Sequence, residues 1–244
     1  MVVEYPNRET AARPGIFPPS AAAGGGIGSE KARFDRVEER VVIDVGTGPT
    51  LEGRVGSAEA PRGGLVICHP HPLYGGDMDN PVVLRAAEVA RESGLATLRF
   101  NFRGVGASTG AHDRGEGEQD DVRAALAALR SRLPAGRPLG LAGYSFGAWV
   151  SSRVAAPEAL SALCLIAPPL AMFDLGAFDP GPLALLLVAG TQDPYCPLPD
   201  FDGLASRLPG AAAARIEGAD HFFFGKLFPM GEAVRGWARG WVPA

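Results

Sequence analysis

This chain of 244 residues holds only three cysteines, Cys68, Cys164 and Cys196, and only four histidines. Cys68 and Cys164 lie in the apolar runs "GGLVICHP" and "ALCLIAPP", which read as buried strands. An odd count with two core positions argues against a disulfide framework and fits a reducing, cytoplasmic location. No stretch approaches the roughly 18 consecutive apolar residues of a transmembrane helix, so no membrane partner is expected. A basic segment followed by an apolar one, the mark of a secretory signal, is also missing from the start of the chain. Net charge is small as well: 23 Lys and Arg against 27 Asp and Glu leave -4. That balance gives no electrostatic reason to expect nucleic acid as a partner.

What is abundant is glycine, proline and small apolar residues. Residues 1–35, with "RPGIFPPSAAAGGGIGSE", show neither helical nor strand period and form a Pro/Gly/Ala-rich arm. The arm is expected to dock on the body or on a neighbouring subunit, which makes a homodimer one expectation. From residue 36 to 244 the pattern changes. "RVVIDV" and "LEGRVG" flank "GTGPT" as the two arms of a β-hairpin. Apolar strand-length runs then alternate with helix-length segments: "GGLVICH", "LATLRFNF", "PLGLAGY", "ALCLIA", "LALLLVAG" and "ARIEGA" are the strands. Near-continuous apolar strands separated by helices predict an α/β domain, with a mostly parallel sheet covered by helices on both faces. In "QDDVRAALAALRSRL", Val122, Leu126, Leu129 and Leu133 recur on one helical face, with acids opening the helix and arginines closing it.

One junction is chemically pointed. In "GLAGYSFGAW" a serine, Ser145, sits between Gly143 and Gly147, directly after a strand and before a helix. A turn that tight strains the serine backbone, and side chains at the two glycines would collide with the neighbouring elements. This is the pattern of a nucleophile elbow, which lifts a serine hydroxyl to the carboxyl edge of a sheet above a helix N-terminus. A hydroxyl needs a base to take its proton. His221, in "IEGADHFFFGK" after the last strand, is placed to be that base, and Asp193, in "LLLVAGTQDPYCP" after the penultimate strand, to orient it. Asp174 and Asp179 in "FDLGAFDPG" compete for the acid role, with Asp174 the stronger rival; Asp220 reads as a turn residue. The chain order Ser145, Asp193, His221 is that of an α/β-hydrolase triad, and all three residues follow strand ends.

"VICHPHPLYGGDMDNPVV" offers two readings. His-x-His followed by acids is reminiscent of binuclear metal sites, but Leu73 and Tyr74 stand where further ligands belong, so no metal is expected. The stronger reading is an oxyanion loop. Acyl transfer needs two N–H donors at the developing alkoxide, each worth ~10²–10³ in rate. Phe146, following the serine, supplies one. Pro70 and Pro72 have no N–H, which leaves Leu73 or Tyr74 for the other. His69 and His71 are then expected to hydrogen-bond loop backbone.

"HPHPLYGGDMDNPVV", "TLRFNFRGVGASTG", "GYSFGA", "AGTQDPYCP" and "GADHFFFGK" together resemble a bacterial α/β-hydrolase family close to dienelactone hydrolases and short carboxylesterases. The likeness spans about residues 37–240. It implies an α/β-hydrolase fold with an eight-stranded sheet and a Ser145–His221–Asp193 triad, and its oxyanion loop matches "PLYG", which favours Leu73 as the donor. Serine replaces the cysteine nucleophile of dienelactone hydrolases, so their substrate does not carry over. "NFRGVGAS" is similar to a loop of this superfamily in which Arg103, Gly104 and Gly106 brace the sheet rim.

The interval from Pro168 to Pro182 is too short for a large cap domain, so the site is expected to be open. Tyr74, Tyr195, Phe222 and Phe223 adjoin the proposed machinery and are candidates to line an apolar slot. The expectation is a serine hydrolase acting on small-molecule carboxylic esters, with no cofactor. Amide, peptide or thioester cleavage would use the same triad, and a non-catalytic scaffold is the alternative of another class.

Overall fold

The computed structural model describes residues 38–242 apart from 47, 59, 156–158, 177 and 209. The expected arm, 1–35, lies outside the described residues. Eight strands form one sheet: β1 (Glu38–Asp44), β2 (Thr50–Gly56), β3 (Gly63–Cys68), β4 (Leu95–Phe100), β5 (Leu139–Tyr144), β6 (Ala162–Ile166), β7 (Ala184–Gly190) and β8 (Ala212–Ile216). Their spatial order is β1-β2-β4-β3-β5-β6-β7-β8. The β1–β2 hairpin pairs Glu38 with Gly56 and Asp44 with Thr50, and β2 also runs antiparallel to β4. Every other neighbouring pair is parallel. This is the α/β architecture that the alternation of apolar runs and helical segments predicts.

Helices α1 (Pro81–Glu92), α2 (Gly117–Arg130), α3 (Phe146–Ala155), α4 (Leu198–Arg207) and α5 (Leu227–Gly240) cover the two faces. In β3 the side chains alternate, so Val66 and Cys68 join the core under α2 and α3, while Leu65 and Ile67 join the core under α1 and α5. All six residues of β3, β4 and β5 are buried. Each fully buried leucine or valine there stabilises the fold by about 1.5–3 kcal/mol relative to exposure, which is why these strands read as unbroken apolar runs.

Local chemistry sets the helix starts. Asn80 accepts a hydrogen bond from the Val82 N–H at 2.9 Å, and Pro81 occupies the first turn of α1, where its missing N–H does no harm. The acids Glu118 and Asp120 open α2, and Arg130 closes it. α2 stops at Arg130, three residues before the apolar period fades; Leu133 continues the packing from a turn.

The rim that carries the loops is braced by buried polar contacts. Arg103 grips Asp121 of α2 through both Nε and Nη2, at 3.0 and 2.7 Å. Asn101 accepts from the Met78 N–H and donates to Glu52. The "NFRGVGAS" segment therefore ties β2, β4 and α2 together, as the resemblance implies. Between β6 and β7 the described residues make turns and no helix, so among the described residues no helical cap covers the carboxyl edge of the sheet.

Candidate active site

β5 ends at Tyr144, α3 begins at Phe146, and the single residue between them is Ser145. Its φ of 56° is a left-handed conformation that a non-glycine residue holds at a cost of about 1–3 kcal/mol. Two hydrogen bonds stabilise it: the Ser145 N–H donates to Ile166 of β6, and its carbonyl accepts from Ala148 N–H, both at 2.9 Å. The glycines are needed for close approach rather than for their own dihedrals. A Cβ on Gly143 would lie 2.2 Å from the Gly147 carbonyl oxygen, and one on Gly147 would lie 2.6 Å from the carbonyl oxygens of Cys68 and His69. Because the obstacles are backbone, they cannot move aside. Gly143→Ala is expected to destabilise the protein by about 3 kcal/mol, the upper end for overpacking, read as a lowered urea midpoint.

The two other chemical groups arrive from the next loops along the rim. His221 Nε2 is 3.0 Å from Ser145 Oγ, and His221 Nδ1 is 2.7 Å from Asp193 Oδ2. All three side chains are buried. Asp193 is held in turn: its Oδ1 accepts from the N–H groups of Tyr195 and Cys196 at 2.8 and 3.0 Å. The Tyr144 hydroxyl donates to the His221 carbonyl at 2.9 Å, fixing the histidine loop from below. With Asp193 on Nδ1, the Nδ1 proton stays in place and Nε2 presents its lone pair to the serine. The rival acids do something else. Asp174 and Asp179 each accept from a glycine N–H two residues on, in exposed turns, and Asp220 accepts from Phe222 and Phe224 N–H groups.

The loop after β3 departs from the sequence expectation. The Leu73 N–H donates to His71 Nδ1 at 3.2 Å, closing a single 3-10 turn over Pro72–Tyr74, and the Leu73 side chain is 69% exposed. Leu73 is thus engaged within its own loop and is not the free donor that the sequence suggested. Tyr74, Gly75 and Gly76 N–H groups also bond back onto the loop, to His71 and Pro72 carbonyls. The N–H groups of His71 and of Phe146, the residue after the serine, have no acceptor among the described residues. His69 behaves as expected: Nδ1–H donates to the Pro70 carbonyl at 2.6 Å and Nε2 accepts from Phe102 N–H at 3.0 Å.

A cleft with about 40 Å³ of solvent-accessible space opens beside Ser145. Tyr74 and Tyr195 line it as predicted. Phe222 does not, its ring lying edge-on to His221 and against Phe224. Phe223 is fully buried, packed on Tyr144 in the core. The strand-end loop turns at Phe223, whose φ is 54°, and that turn swings its ring inward. Sequence reasoning missed His71, Pro169, Met172 and Phe173, all of which line the cleft. The last three come from the β6–β7 connection, which sequence reading weighed for its length rather than its side chains. No group of three or more His, Cys, Asp or Glu side chains that could hold a metal ion occurs among the described residues.

Comparison with known proteins identifies the family. Residues 65–185 match the model of the alpha/beta hydrolase fold family. An uncharacterised Rickettsia prowazekii protein is 34% identical over 196 residues, covering 75% of this chain and 82% of that one. A Xanthomonas campestris α/β serine hydrolase without a lid superposes with a TM-score of 0.79 at 35% identity, covering 85% of this chain and 96% of that chain. A Coxiella burnetii α/β serine hydrolase homologue gives 0.76 at 34% identity, covering 81% and 96%. The chain belongs to the α/β-hydrolase family.

Among the described residues of this α/β serine hydrolase no cap covers the cleft, which opens directly from the rim. Among the described residues, the three non-glycine residues besides Ser145 with positive φ, Arg114, Ala167 and Phe223, all sit on rim loops of this hydrolase. Backbone strain of this kind collects where side chains must be aimed. The three cysteines are free and buried, and burial pushes the Cys68 thiol up to about 12, so none competes with the serine as a nucleophile. No helix among the described residues is long and apolar enough to cross a membrane.

Proposed function

We propose that this α/β serine hydrolase cleaves carboxylic esters of small to medium apolar substrates through an acyl-enzyme on Ser145. The observation that carries the reading is the continuous Ser145–His221–Asp193 hydrogen-bonded chain, 3.0 and 2.7 Å long at its two steps. His221 Nε2 takes the Ser145 Oγ proton as the oxygen attacks the ester carbonyl. The C=O electron pair moves to oxygen, and that alkoxide lies under the N–H groups of Phe146 and His71, which have no other acceptor. The tetrahedral intermediate collapses, the alcohol leaves with the proton from His221, and the acyl group remains on Ser145. Water, deprotonated by the same nitrogen, then releases the acid and restores the serine. These steps call for no cofactor.

Substrate size follows from the cleft. On this measure one water needs roughly 10–15 Å³, so about 40 Å³ accepts a short acyl chain. The lining is mostly apolar, with Phe146, Phe173, Met172, Pro169 and the two tyrosines. Leu73, Tyr74, Met172 and Phe224 expose large apolar surfaces, and all are on loops at the carboxyl edge of the sheet, where a larger alcohol portion would lie. A fluorophosphonate probe tests the reading: it is expected to label Ser145 stoichiometrically, and absence of labelling would sink it in favour of a non-catalytic scaffold. Paired p-nitrophenyl butanoate and butanoyl p-nitroanilide separate ester from amide cleavage; faster turnover of the anilide would overturn the ester assignment.

A further inference from the structure

Beside the nucleophile lies a second group of titratable side chains that the proposed steps leave without a role. Glu118, in the first turn of α2, is fully buried. Its Oε1 accepts from the Asp113 N–H at 2.9 Å and its Oε2 from the Gly115 N–H at 2.7 Å. His112 Nδ1 is 2.7 Å from the same Oε1, an ion-pair distance whose angle is poor for a hydrogen bond. Burial works against the Glu118 charge. The His112 contact and the backbone N–H groups outweigh it and hold the carboxyl down at about 2. The His112 ring lies 4.8 Å from the His71 ring, and both rings pack on Phe146, at 5.5 and 4.8 Å. His71 lines the cleft.

The proton positions on the two imidazoles follow from their partners. His71 Nδ1 accepts from the Leu73 N–H, so in the neutral ring the proton is on Nε2, a donor. His112 Nδ1 faces a carboxylate and must carry a proton, so in the neutral ring Nε2 is an acceptor. Neither Nε2 has a hydrogen-bond partner among the described residues. With both rings neutral, a donor and an acceptor on adjacent rings match a group that both accepts and donates. A hydroxyl does both. An ether only accepts, and a methyl does neither.

The placement selects the acyl side of the ester. The leaving alcohol must lie within reach of His221 Nε2, whose ring contacts are Tyr144, Tyr195 and Phe222. His71 and His112 share none of these contacts and pack instead on Phe146, the residue carrying one of the proposed alkoxide donors. We propose that His71 and His112 form a subsite that hydrogen-bonds a hydroxyl on the acyl chain, with Glu118 as the positioning residue that sets the His112 tautomer. The inference rests on the serine-hydrolase reading for its location and extends it to the substrate class of hydroxyacyl esters.

The experiment compares p-nitrophenyl esters of 3-hydroxybutanoate, 3-methoxybutanoate and butanoate, each normalised to its rate with hydroxide. The wild-type protein is expected to rank hydroxyl above methoxy above methyl in kcat/KM, with about 10–100-fold between the first and last for two neutral hydrogen bonds. His112→Phe keeps the ring stack and is expected to reduce the hydroxyl-to-methyl ratio to within about twofold, whereas His112→Gln restores part of it. Ratios taken on one preparation cancel differences in active fraction. No wild-type preference, or a preference kept by His112→Phe, would overturn the subsite. A second arm does not need catalysis. In Ser145→Ala, methyl 3-hydroxybutanoate is expected to shift the His112 ring-proton NMR signals at concentrations where methyl butanoate does not, and equal responses would overturn the subsite. If the probe leaves Ser145 unlabelled while this binding difference persists, the hydrolase reading fails and the subsite stands.

Discussion

Ser145→Ala is expected to lower kcat for a short p-nitrophenyl ester by about 10⁶-fold, the scale of nucleophile loss in serine hydrolases of this design. The loss is so large because, in the proposed mechanism, the oxygen that attacks and the oxygen that carries the acyl group are the same atom. With it gone, His221 and the proposed alkoxide donors, the N–H groups of Phe146 and His71, remain to assist water directly, and such residual catalysis is far below the full rate. KM is expected to change little, since the cleft walls are untouched. Asp193→Asn makes a related but separable test. Its Oδ1 still has the Tyr195 and Cys196 N–H groups to accept from, so the loop keeps its shape. The new amide N–H₂ would face His221 Nδ1, forcing the ring proton to Nε2 and removing the lone pair that takes the serine proton. The expected fall is about 10⁴-fold in kcat. Initial rates at substrate saturation, with active sites counted by the fluorophosphonate probe, check both. Retention of more than about a hundredth of the wild-type rate by Ser145→Ala would remove that serine from the reaction.

These residues were open to inference because each is demanded by a local rule. Gly143 and Gly147 announce a turn in which a Cβ would strike backbone, and the structure has backbone oxygens within 2.2 and 2.6 Å of those positions. Asp193 and His221 follow strand ends, and in a parallel sheet all such ends share one rim. The sheet itself was legible for a similar reason. Strands buried on both faces must be apolar throughout, and β3, β4 and β5 are buried at every position.

What escaped inference depends on tertiary contacts that leave no local mark. Whether Leu73 offers a free N–H is decided by the rotation of the His71 imidazole, which caps the turn with its own Nδ1. "HPHPLYGG" reads the same for either outcome. The aromatic run "HFFFG" places three phenylalanines beside His221, yet the positive φ at Phe223 sends that ring into the core while Phe224 is left 65% exposed. Phe173 reaches the cleft by stacking on Trp149 at 4.6 Å, a pairing between a loop and a helix that no periodicity encodes.

Acid is expected to destabilise this protein steeply, and the cause lies in the two HPHP histidines. Burial pulls His69 down to about 3, with the Pro70 carbonyl opposing only in part. Burial also lowers His71, helped by the nearby His112 and opposed by Glu118, to about 4. Both rings are therefore neutral in the folded protein at pH 5, whereas in the unfolded chain, at about 6.5, both are charged. The unfolded state then binds about two more protons, and stability rises with pH by about 2.5 kcal/mol per unit around pH 5–6. The contribution is complete above about 6.5 and is lost progressively as pH falls toward the folded values. Glu118, held down at about 2, acts in the same direction at lower pH, losing its contribution between about 4.5 and 2. Between pH 7 and 5 the two histidines together remove about 3 kcal/mol, allowing for the partial exposure of His71, a large share of the 5–15 kcal/mol typical of a domain. Urea midpoints at half-unit pH steps measure the slope, and proton uptake on unfolding in weak buffer at pH 5.5 measures the count directly. A flat profile from pH 7 to 5, or uptake of less than about one proton, would mean that these rings are charged where they sit. Charge on His69 would also break the bond by which its Nε2 accepts the Phe102 N–H, so the same measurement decides whether the histidine framing the loop beside Ser145 is a neutral brace.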